Sequence, residues 1–325
     1  MFGVGYYGVP PVLPNESKRF FGRSLVVHGC GPLSISHHIS VIRSPCQVNI
    51  GTTSINILKD GTFLLDGGTV FGQIPKSEWE TQIKPDRRNR VRLGLNCVLI
   101  MTPEKNILVD TGAGSKRTAE LKEKFGLNGN KLMRNLKSYG VTARDIDVVV
   151  LTQLQFAHSG GCTKLDRTGA AVPIFPKAEY VVQEECWNEA INPNERFETQ
   201  FFEDDYAPLA DRDMIRFLDG KEEIIPGVTV SVADGPAKGH QVVFIERGSE
   251  RIVLAGDLIP TPYHLPLTYI PADSEFPNET LAQKRQLIET AMDGGWLIIF
   301  GHGNECSSGY VRDRGGKPQF IPVEL

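Results

Sequence analysis

Short runs in which apolar and polar residues alternate begin near residue 50. In SINILKDGTFLLDGG, two such runs flank Lys59, Asp60 and Gly61, a combination typical of a hairpin turn. The stretch LNCVLIMTPEKNILVDTG repeats the pattern, with its turn predicted from Pro103 to Lys105. DVVVLT and AEYVVQ are short apolar runs that predict buried strands, and VTVSVA, QVVFIE and RIVLAG predict further strands downstream.

Helical spacing follows in other segments. SKRTAELKEKFG and NKLMRNLKSYG place apolar residues three or four apart and end at glycine. TLAQKRQLIETAMDGG predicts a third helix, followed by the strand WLIIF. Residues 186–213 are polar with scattered aromatic residues, which suits a helical insertion or lid. Strand runs therefore precede a mixture of strands and helices, and this order predicts an α/β fold of two packed sheets with helices outside.

Residues 1–45 differ from the rest because they are rich in glycine, proline and serine and have no sustained periodicity. They predict an irregular arm that wraps the domain or a partner subunit. The expected organisation is therefore an arm over 1–45 and one domain over 46–325, with a possible homo-oligomer formed through the arm.

Composition narrows the class of protein. The chain has 325 residues, 40% of them hydrophobic, and a net charge of −4. It lacks the basic character of nucleic-acid-binding domains and any apolar run of bilayer length, so we expect neither nucleic acid nor a membrane as a partner. The first residues lack the features of a signal peptide, which predicts a cytoplasmic protein. The pieces GVGYYG and GCG do not form a dinucleotide fingerprint, since no strand precedes them and no helix follows.

The six cysteines are scattered and contain no C-x-x-C pair. This argues against a disulfide framework and against a cysteine zinc site. Cys162 and Cys306 each lie four residues beyond a histidine. A thiolate ligand is conceivable at either position, but a buried apolar role is favoured.

The stretch LTQLQFAHSGG, residues 151–161, directly follows the strand run DVVV. It resembles T-H-x-H-x-D-H-x-G-G, the metal loop of the metallo-β-lactamase superfamily. LLDGGTVFG, NRVRLGLNCVLI, NILVDTGAG, LAGDLIPTPYHLPL and WLIIFGHG also look like the lactonase-like branch of that superfamily, in the same order and over roughly residues 50–325. The resemblance implies an αβ/βα sandwich with a metal site at one edge, between the sheets.

The resemblance also implies a ligand role for particular positions, and several of these have lost their donors. The positions that bind only the first metal in the family are Gln153, Gln155 and Pro236 in this chain. They offer a weak neutral oxygen or no side-chain donor. In ADGPAKGHQ, His240 matches a histidine that is not a ligand in the family. The positions of the second metal are Ala157, His158, Asp257 and His302, of which three keep a donor.

His158, Asp257 and His302 form a set of two histidines and one carboxylate. Catalytic zinc commonly has three protein ligands, and the same set can hold non-haem iron. We therefore predict a single site for one zinc or iron ion, with Asp257 and His158 as the catalytic residues. The alternative is that these side chains only bridge loops and that no metal is bound. Asp110, in LVDTG, resembles the structural aspartate that orients the metal loop.

Other residues are candidates for the pocket. Tyr263 and His264 follow the aspartate of LAGDLIPTPYHL and line the predicted pocket mouth, unless they are ordinary loop packing. Phe201, Phe202 and Tyr206 form a predicted apolar lid or, alternatively, anchor the insertion.

Two classes of function remain open. The first is a divergent hydrolase with a non-standard site and at most one metal, acting on lactone- or ester-type small molecules; an oxidative iron enzyme is its variant. The second is a non-catalytic descendant of the fold that binds a small molecule or a partner protein. A standard dinuclear zinc hydrolase is not expected in either case.

Overall fold

A computed structural model describes residues 48–50, 52–315 and 318–324. In chain order its strands are β1 (Val48–Ile50), β2 (Thr53–Asp66), β3 (Arg90–Met101), β4 (Asn106–Val109), β5 (Val148–Val150), β6 (Thr163–Leu165), β7 (Ala171–Pro173), β8 (Glu179–Gln183), β9 (Ile215–Leu218), β10 (Glu222–Ile225), β11 (Val228–Val232), β12 (Gln241–Arg247), β13 (Glu250–Leu254), β14 (Leu297–Ile299), β15 (Ser308–Asp313) and β16 (Pro318–Pro322). The helices are α1 (Gly67–Phe71), α2 (Lys76–Trp79), α3 (Thr118–Phe125), α4 (Leu132–Ser138), α5 (Phe156–Ser159), α6 (Glu184–Ile191), α7 (Ala207–Ala210) and α8 (Pro277–Gly294). The predicted arm at 1–45, and any oligomer formed through it, lie outside the described residues.

The strands form two seven-stranded sheets and a small hairpin. The first sheet has the order β1-β2-β3-β4-β5-β8-β9, the second runs from β10 to β16 in sequence order, and β6 pairs with β7. In the first sheet β4, β5, β8 and β9 are parallel to one another, and in the second β13 is parallel to β14. Both sheets are therefore mixed.

The alternation of side chains along β3 shows how the layers are built. Val98 and Ile100 belong to a buried cluster with Val243 and Leu254 of the second sheet, so the two sheets share one apolar layer. The side chains between them face the other way, and Leu99 packs in a separate cluster that also contains residues of α4 and α6. A strand buried on both faces reads as a continuous apolar run, which explains NCVLIM.

The outer face of the second sheet is covered by α8. This helix places Leu287, Ile288 and Ala291 in a cluster with Val253 and Ile298 of β13 and β14. Helix, sheet, sheet and helix therefore stack in that order, which confirms the predicted αβ/βα sandwich. No helix among the described residues has both the length and the apolar composition needed to cross a membrane.

The predicted hairpin turn at Lys59–Gly61 is wrong. β2 continues through these residues and pairs with β3 on both sides, with a register shift between Lys59 and Gly61. The reason is the buried carboxylate of Asp60, which accepts hydrogen bonds from the backbone N–H groups of Lys131 and Leu132 at 2.9 and 3.0 Å. Asp and Gly therefore mark a bulge that anchors the start of α4, not a chain reversal.

The other elements follow the predicted pattern more closely. The turn at 103–105 joins β3 to β4, and helices occur at all three predicted places. The segment 186–213 is largely helical, in α6, α7 and two short 3-10 turns. The hairpin of β15 and β16 and the short helices α1 and α2 were not predicted from the pattern.

Candidate metal centre

Strand direction brings the candidate site together. The parallel strands β4 and β5 end just before Asp110 and the loop 151–155, and the parallel strands β13 and β14 end just before Asp257 and His302. Carboxyl ends of parallel strands share one edge of a sheet, and the two sheets pack face to face. Residues from distant parts of the sequence therefore meet at one edge of the sandwich.

At that edge His158, Asp257 and His302 lie close together. One ligand atom from each falls within 4.8 Å of the others. His158 Nε2 is 3.2 Å from Asp257 Oδ2, and His302 Nε2 is 3.0 Å from Asp257 Oδ1. All three side chains thus direct a donor atom to one region, as a shared cation requires.

Asp110 fixes the orientation of the His158 ring. The His158 Nδ1–H donates to Asp110 Oδ2 at 2.9 Å, which leaves Nε2 directed at Asp257. Asp110 itself accepts from the Thr152 backbone N–H at 2.8 Å and from the Thr152 hydroxyl. Such a carboxylate behind a histidine is the usual support of a metal-ligating imidazole. This arrangement supports the predicted orienting role of Asp110.

His302 is oriented in a different way. Its Nδ1–H donates to the carbonyl of Gly94 at 2.8 Å, so Nε2 is the nitrogen that faces Asp257. The loop that carries His302 is held by Asn96 of β3, whose amide donates to the carbonyls of Phe300 and Gly303 at 2.8 Å each. Asn96 was not predicted as a site residue, although a single polar residue within the apolar run LNCVLIM indicates a structural role.

Asp257 is placed by Gly256 and His240. Gly256 has φ of 52°, and a Cβ there would lie 2.5 Å from His240 Nε2, so only glycine fits. His240 Nε2 accepts the Asp257 backbone N–H at 3.0 Å, while its Nδ1–H donates to the Ala233 carbonyl at 3.1 Å. Both ring nitrogens of His240 are therefore used in hydrogen bonds, and this histidine supports the loop from behind.

The charges of the site are strongly coupled. Burial alone would lower the pKa of His158, but the carboxylates of Asp257 and Asp110 outweigh it and raise that pKa to about 10. Burial likewise opposes ionisation of Asp257, yet His158 and His302 hold its pKa well below the usual range. The Asp257 carboxylate is therefore anionic and available to a cation at neutral pH.

The positions without the family's ligands surround this centre. Gln155, Ala157 and Pro236 line the adjoining cavity, whereas Gln153 is only 1% exposed and reaches the centre itself. The Gln153 amide nitrogen donates to Asp257 Oδ2 at 2.5 Å and lies 3.1 Å from His158 Nε2. Its amide oxygen is buried and has no hydrogen-bond partner among the described residues.

These donors fit one cation and do not fit two. Two imidazoles with their far nitrogens fixed, plus a carboxylate whose Oδ1 accepts no hydrogen bond from the described residues, match a three-ligand zinc or iron site. A second cation beside it would find the side chains of Gln155, Ala157 and Pro236, which offer no imidazole and no carboxylate.

A cavity of about 310 Å³ opens above the centre. Its apolar wall is formed by Phe63, Leu65, Val70, Leu93, Phe125 and Phe156, and its polar residues include Thr199, Gln200, Asp273 and Ser274. Burial raises the pKa of Asp273 to about 6, and the nearby Asp257 carboxylate adds to this effect. Asp273 was not found from the sequence, because it lies in a loop without any motif.

The predicted pocket residues lie in different places. His264 lines the cavity; its ring stacks on Phe71 at 5.3 Å, and burial lowers its pKa to about 3. Tyr263 faces a neighbouring cavity instead.

The residues of the predicted lid pack elsewhere. Phe201 and Tyr206 belong to the cluster beneath the first sheet, and the Tyr206 hydroxyl donates to the Ala190 carbonyl at 2.6 Å. Phe202 packs against Phe156, with Arg117 above its ring.

The cysteines stay outside the centre. Cys162 is fully buried beside Thr111, and burial raises its pKa to about 12, which opposes a thiolate. The Cys306 thiol donates to the Ser308 carbonyl at 3.1 Å. Neither belongs to the cluster of possible metal ligands among the residues described. Cys30 and Cys46 are outside the described part of the chain.

Fold and site together define an αβ/βα sandwich in which histidines and an aspartate at the edge of the sheets form a candidate cation site. Residues 91–317 match the family model of the metallo-β-lactamase superfamily, and the chain belongs to that superfamily.

Known relatives are distant. An N-acyl homoserine lactonase of Bacillus cereus is 25% identical over 239 residues, which cover 68% of this chain and 86% of the relative. A probable metal-dependent hydrolase from Staphylococcus aureus is 28% identical with a TM-score of 0.79, over 86% of this chain and 99% of that one. A dizinc quorum-quenching lactonase solved with its product has a TM-score of 0.72 at 20% identity, over 86% and 97% of the two chains.

Proposed function

We propose that this protein is a hydrolase of lactone- or ester-type small molecules that works with at most one cation, zinc being the first candidate. The observation that carries the proposal is the convergence of His158, Asp257 and His302 next to a cavity of about 310 Å³. The named activity of the Bacillus cereus relative, a lactonase, supports the choice of substrate class.

When bound, zinc supplies a Lewis acid that polarises a carbonyl group and lowers the pKa of water to near neutral. His158, Asp257 and His302 would hold it. Asp110 and the Gly94 carbonyl contribute by keeping both imidazole Nδ1–H groups engaged, so that the Nε2 lone pairs remain directed at the cation.

The cavity determines how a substrate is held. Phe63, Phe125 and Phe156 offer an apolar surface for an alkyl or acyl group and exclude water from the buried centre. Opposite polar groups, with Asp273 among them, can bond the polar end of the substrate. With its pKa near 6, Asp273 can also hold or release a proton close to the reacting bond at neutral pH.

The missing second cation limits the rate. In two-metal hydrolases both ions stabilise charge on the attacking and leaving oxygens, a contribution of several kcal/mol. Each ~1.4 kcal/mol corresponds to about tenfold in rate. We therefore expect turnover that is orders of magnitude below that of a dinuclear lactonase.

The test is hydrolysis of an acyl homoserine lactone and of a p-nitrophenyl ester by protein stripped with chelator and then supplied with zinc. We expect weak, zinc-dependent turnover that Asp257→Ala abolishes, while Asp211→Ala, a change at an exposed aspartate, leaves it intact. Equal turnover with and without zinc, or no turnover of any lactone or ester, would refute the proposal.

A second candidate function is metal-free binding of a small molecule. It is favoured by the Gln153 amide, which donates to Asp257 and lies 3.1 Å from His158 Nε2, so that a side chain of the protein itself can contact these two candidate ligands. Calorimetric titration of the chelated protein with an acyl homoserine lactone distinguishes the two, since only the second function predicts unchanged affinity without metal. An iron site would use the same three donors, and elemental analysis separates iron from zinc.

A further inference from the structure

The carboxamide of Gln153 lies against two of the three candidate metal ligands. Its nitrogen is 2.5 Å from Asp257 Oδ2 and 3.1 Å from His158 Nε2, and both residues belong to the candidate metal site. The side chain is 1% exposed, so surrounding residues hold it there. The amide N–H groups carry partial positive charge and bear no lone pair that a cation can use.

We propose that Gln153 is an internal competitor of the metal, which occupies the cation position with its amide N–H groups and must be displaced before an ion can bind. In this role the amide donates a hydrogen bond to the Asp257 carboxylate when no metal is present. The proposal rests on the proposed one-cation function, because it concerns the same three ligands.

The buried oxygen of the same amide supports this orientation. The nitrogen end of Gln153 faces the Asp257 carboxylate, and its oxygen has no hydrogen-bond partner among the described residues. A buried amide oxygen without a partner destabilises the folded state. The bond to the Asp257 carboxylate, which is charge-assisted, is the contact that offsets this cost.

Gln155 provides a matched control in the same loop. It has the same side chain and also occupies a position where the family has a ligand, yet it lines the cavity while Gln153 bonds Asp257. Truncating Gln155 therefore removes a carboxamide from the loop without removing one from the cation position.

The experiment measures zinc affinity of chelator-stripped protein by competition with a chromophoric chelator. Wild type, Gln153→Ala, Gln153→Ser and Gln155→Ala are compared, together with the melting temperature of each in the presence of chelator and of excess zinc. We expect Gln153→Ala and Gln153→Ser to bind zinc at least tenfold more tightly than wild type, while Gln155→Ala binds like wild type. In chelator both Gln153 variants should melt below wild type, because Asp257 loses its donor, and zinc should raise their melting temperatures more than that of wild type.

Unchanged zinc affinity of both Gln153 variants would overturn the competitor role. Weaker affinity would also overturn it, because it would indicate that the Gln153 oxygen is itself a ligand.

Other outcomes distinguish the competitor role from the proposed hydrolase function. If the Gln153 variants bind zinc and wild type binds none at millimolar zinc, the competitor role stands and the one-cation hydrolase falls. If all variants bind zinc equally, the hydrolase stands and the competitor role falls; if no variant binds zinc, both fall.

Discussion

At the scale of single residues, the candidate centre depends on groups that support the three candidate ligands without being ligands themselves. Asp110 sets the direction of His158, the Gly94 carbonyl sets that of His302, and His240 holds the backbone of Asp257. Such supporting contacts reduce the conformational freedom that three separate ligands would otherwise lose on binding. Changes at these residues should therefore weaken zinc binding although the three ligand residues themselves are kept.

Asp110→Asn tests this support directly. Asp110 has φ of 56°, a conformation that asparagine tolerates, so the backbone should be kept. The loss of the carboxylate behind His158 should weaken zinc binding by about 10–100-fold. Asp213→Asn is the matched control, since Asp213 has φ of 53° and is exposed, far along the chain from the site. Equal zinc affinity of the two variants would contradict the orienting role.

At the scale of elements, the loops of the site are fixed to the sandwich by buried lysines. Lys284 of α8 is fully buried and donates to the carbonyls of Pro266 and Tyr269 at 2.8 Å each, which ties the loop after Asp257 to the helix. Lys116 likewise ties the segment around Asp205 to the loop after His158. Each lysine therefore holds a loop that follows one of the candidate ligands, Asp257 or His158.

Lys284 should make stability depend on pH. Burial lowers its pKa to about 7, while the unfolded chain keeps the ordinary value of 10.5. Between these values the unfolded state binds more protons, so this group makes the free energy of unfolding rise with pH, by at most about 1.4 kcal/mol per unit. We expect urea unfolding at pH 7, 8 and 9 to show that the free energy of unfolding of wild type rises with pH relative to that of Lys284→Met. Parallel pH profiles would show that Lys284 does not titrate in this range.

Lys116→Met should loosen the insertion. The Lys116 ammonium contacts Asp205 at 2.7 Å and donates to the carbonyls of Gly160 and Thr163 at 2.7 and 3.0 Å. Without it, the buried Asp205 keeps the ion pair with Arg117, at 3.2 Å, among the residues that the structure describes. Removing one partner of a buried ion pair typically lowers the free energy of unfolding by about 3–5 kcal/mol. Because Arg117 still contacts Asp205, we expect a loss near the lower end of this range.

Lys164→Met, at an exposed position, controls for the loss of a lysine. Chemical denaturation of both variants measures the loss of stability. A fall of less than about 1 kcal/mol for Lys116→Met would mean that the pair contributes no more than a surface ion pair.

At the scale of the whole molecule, hydrophobic periodicity was enough to predict the two-sheet architecture, as the doubly buried strand β3 illustrates. It was not enough at Asp60, because the bulge depends on backbone N–H groups of Lys131 and Leu132, far along the chain. The grouping of His158, Asp257 and His302 was predicted from the resemblance. The contact of Gln153 with Asp257 was not predicted, because it joins loops that are 104 residues apart in the sequence.

Restoring the lost donors tests whether the sandwich still provides both metal positions. The combined change Gln153→His, Gln155→His, Ala157→Asp and Pro236→His supplies the imidazoles and carboxylate that the family motif contains. We expect bound zinc to rise from one to two equivalents and lactone hydrolysis to increase by orders of magnitude. Elemental analysis and an acyl homoserine lactone assay measure the two effects. A folded variant that still binds a single zinc would show that the surrounding backbone no longer fits a second ion.

The central claim is that the chain holds one cation at His158, Asp257 and His302. The most direct measurement is the zinc content of chelator-stripped protein after dialysis against excess zinc and gel filtration, for wild type and for Asp257→Ala. We expect one equivalent in wild type and essentially none in Asp257→Ala. Two equivalents in wild type, none in wild type, or one equivalent that survives the loss of Asp257 would each contradict it.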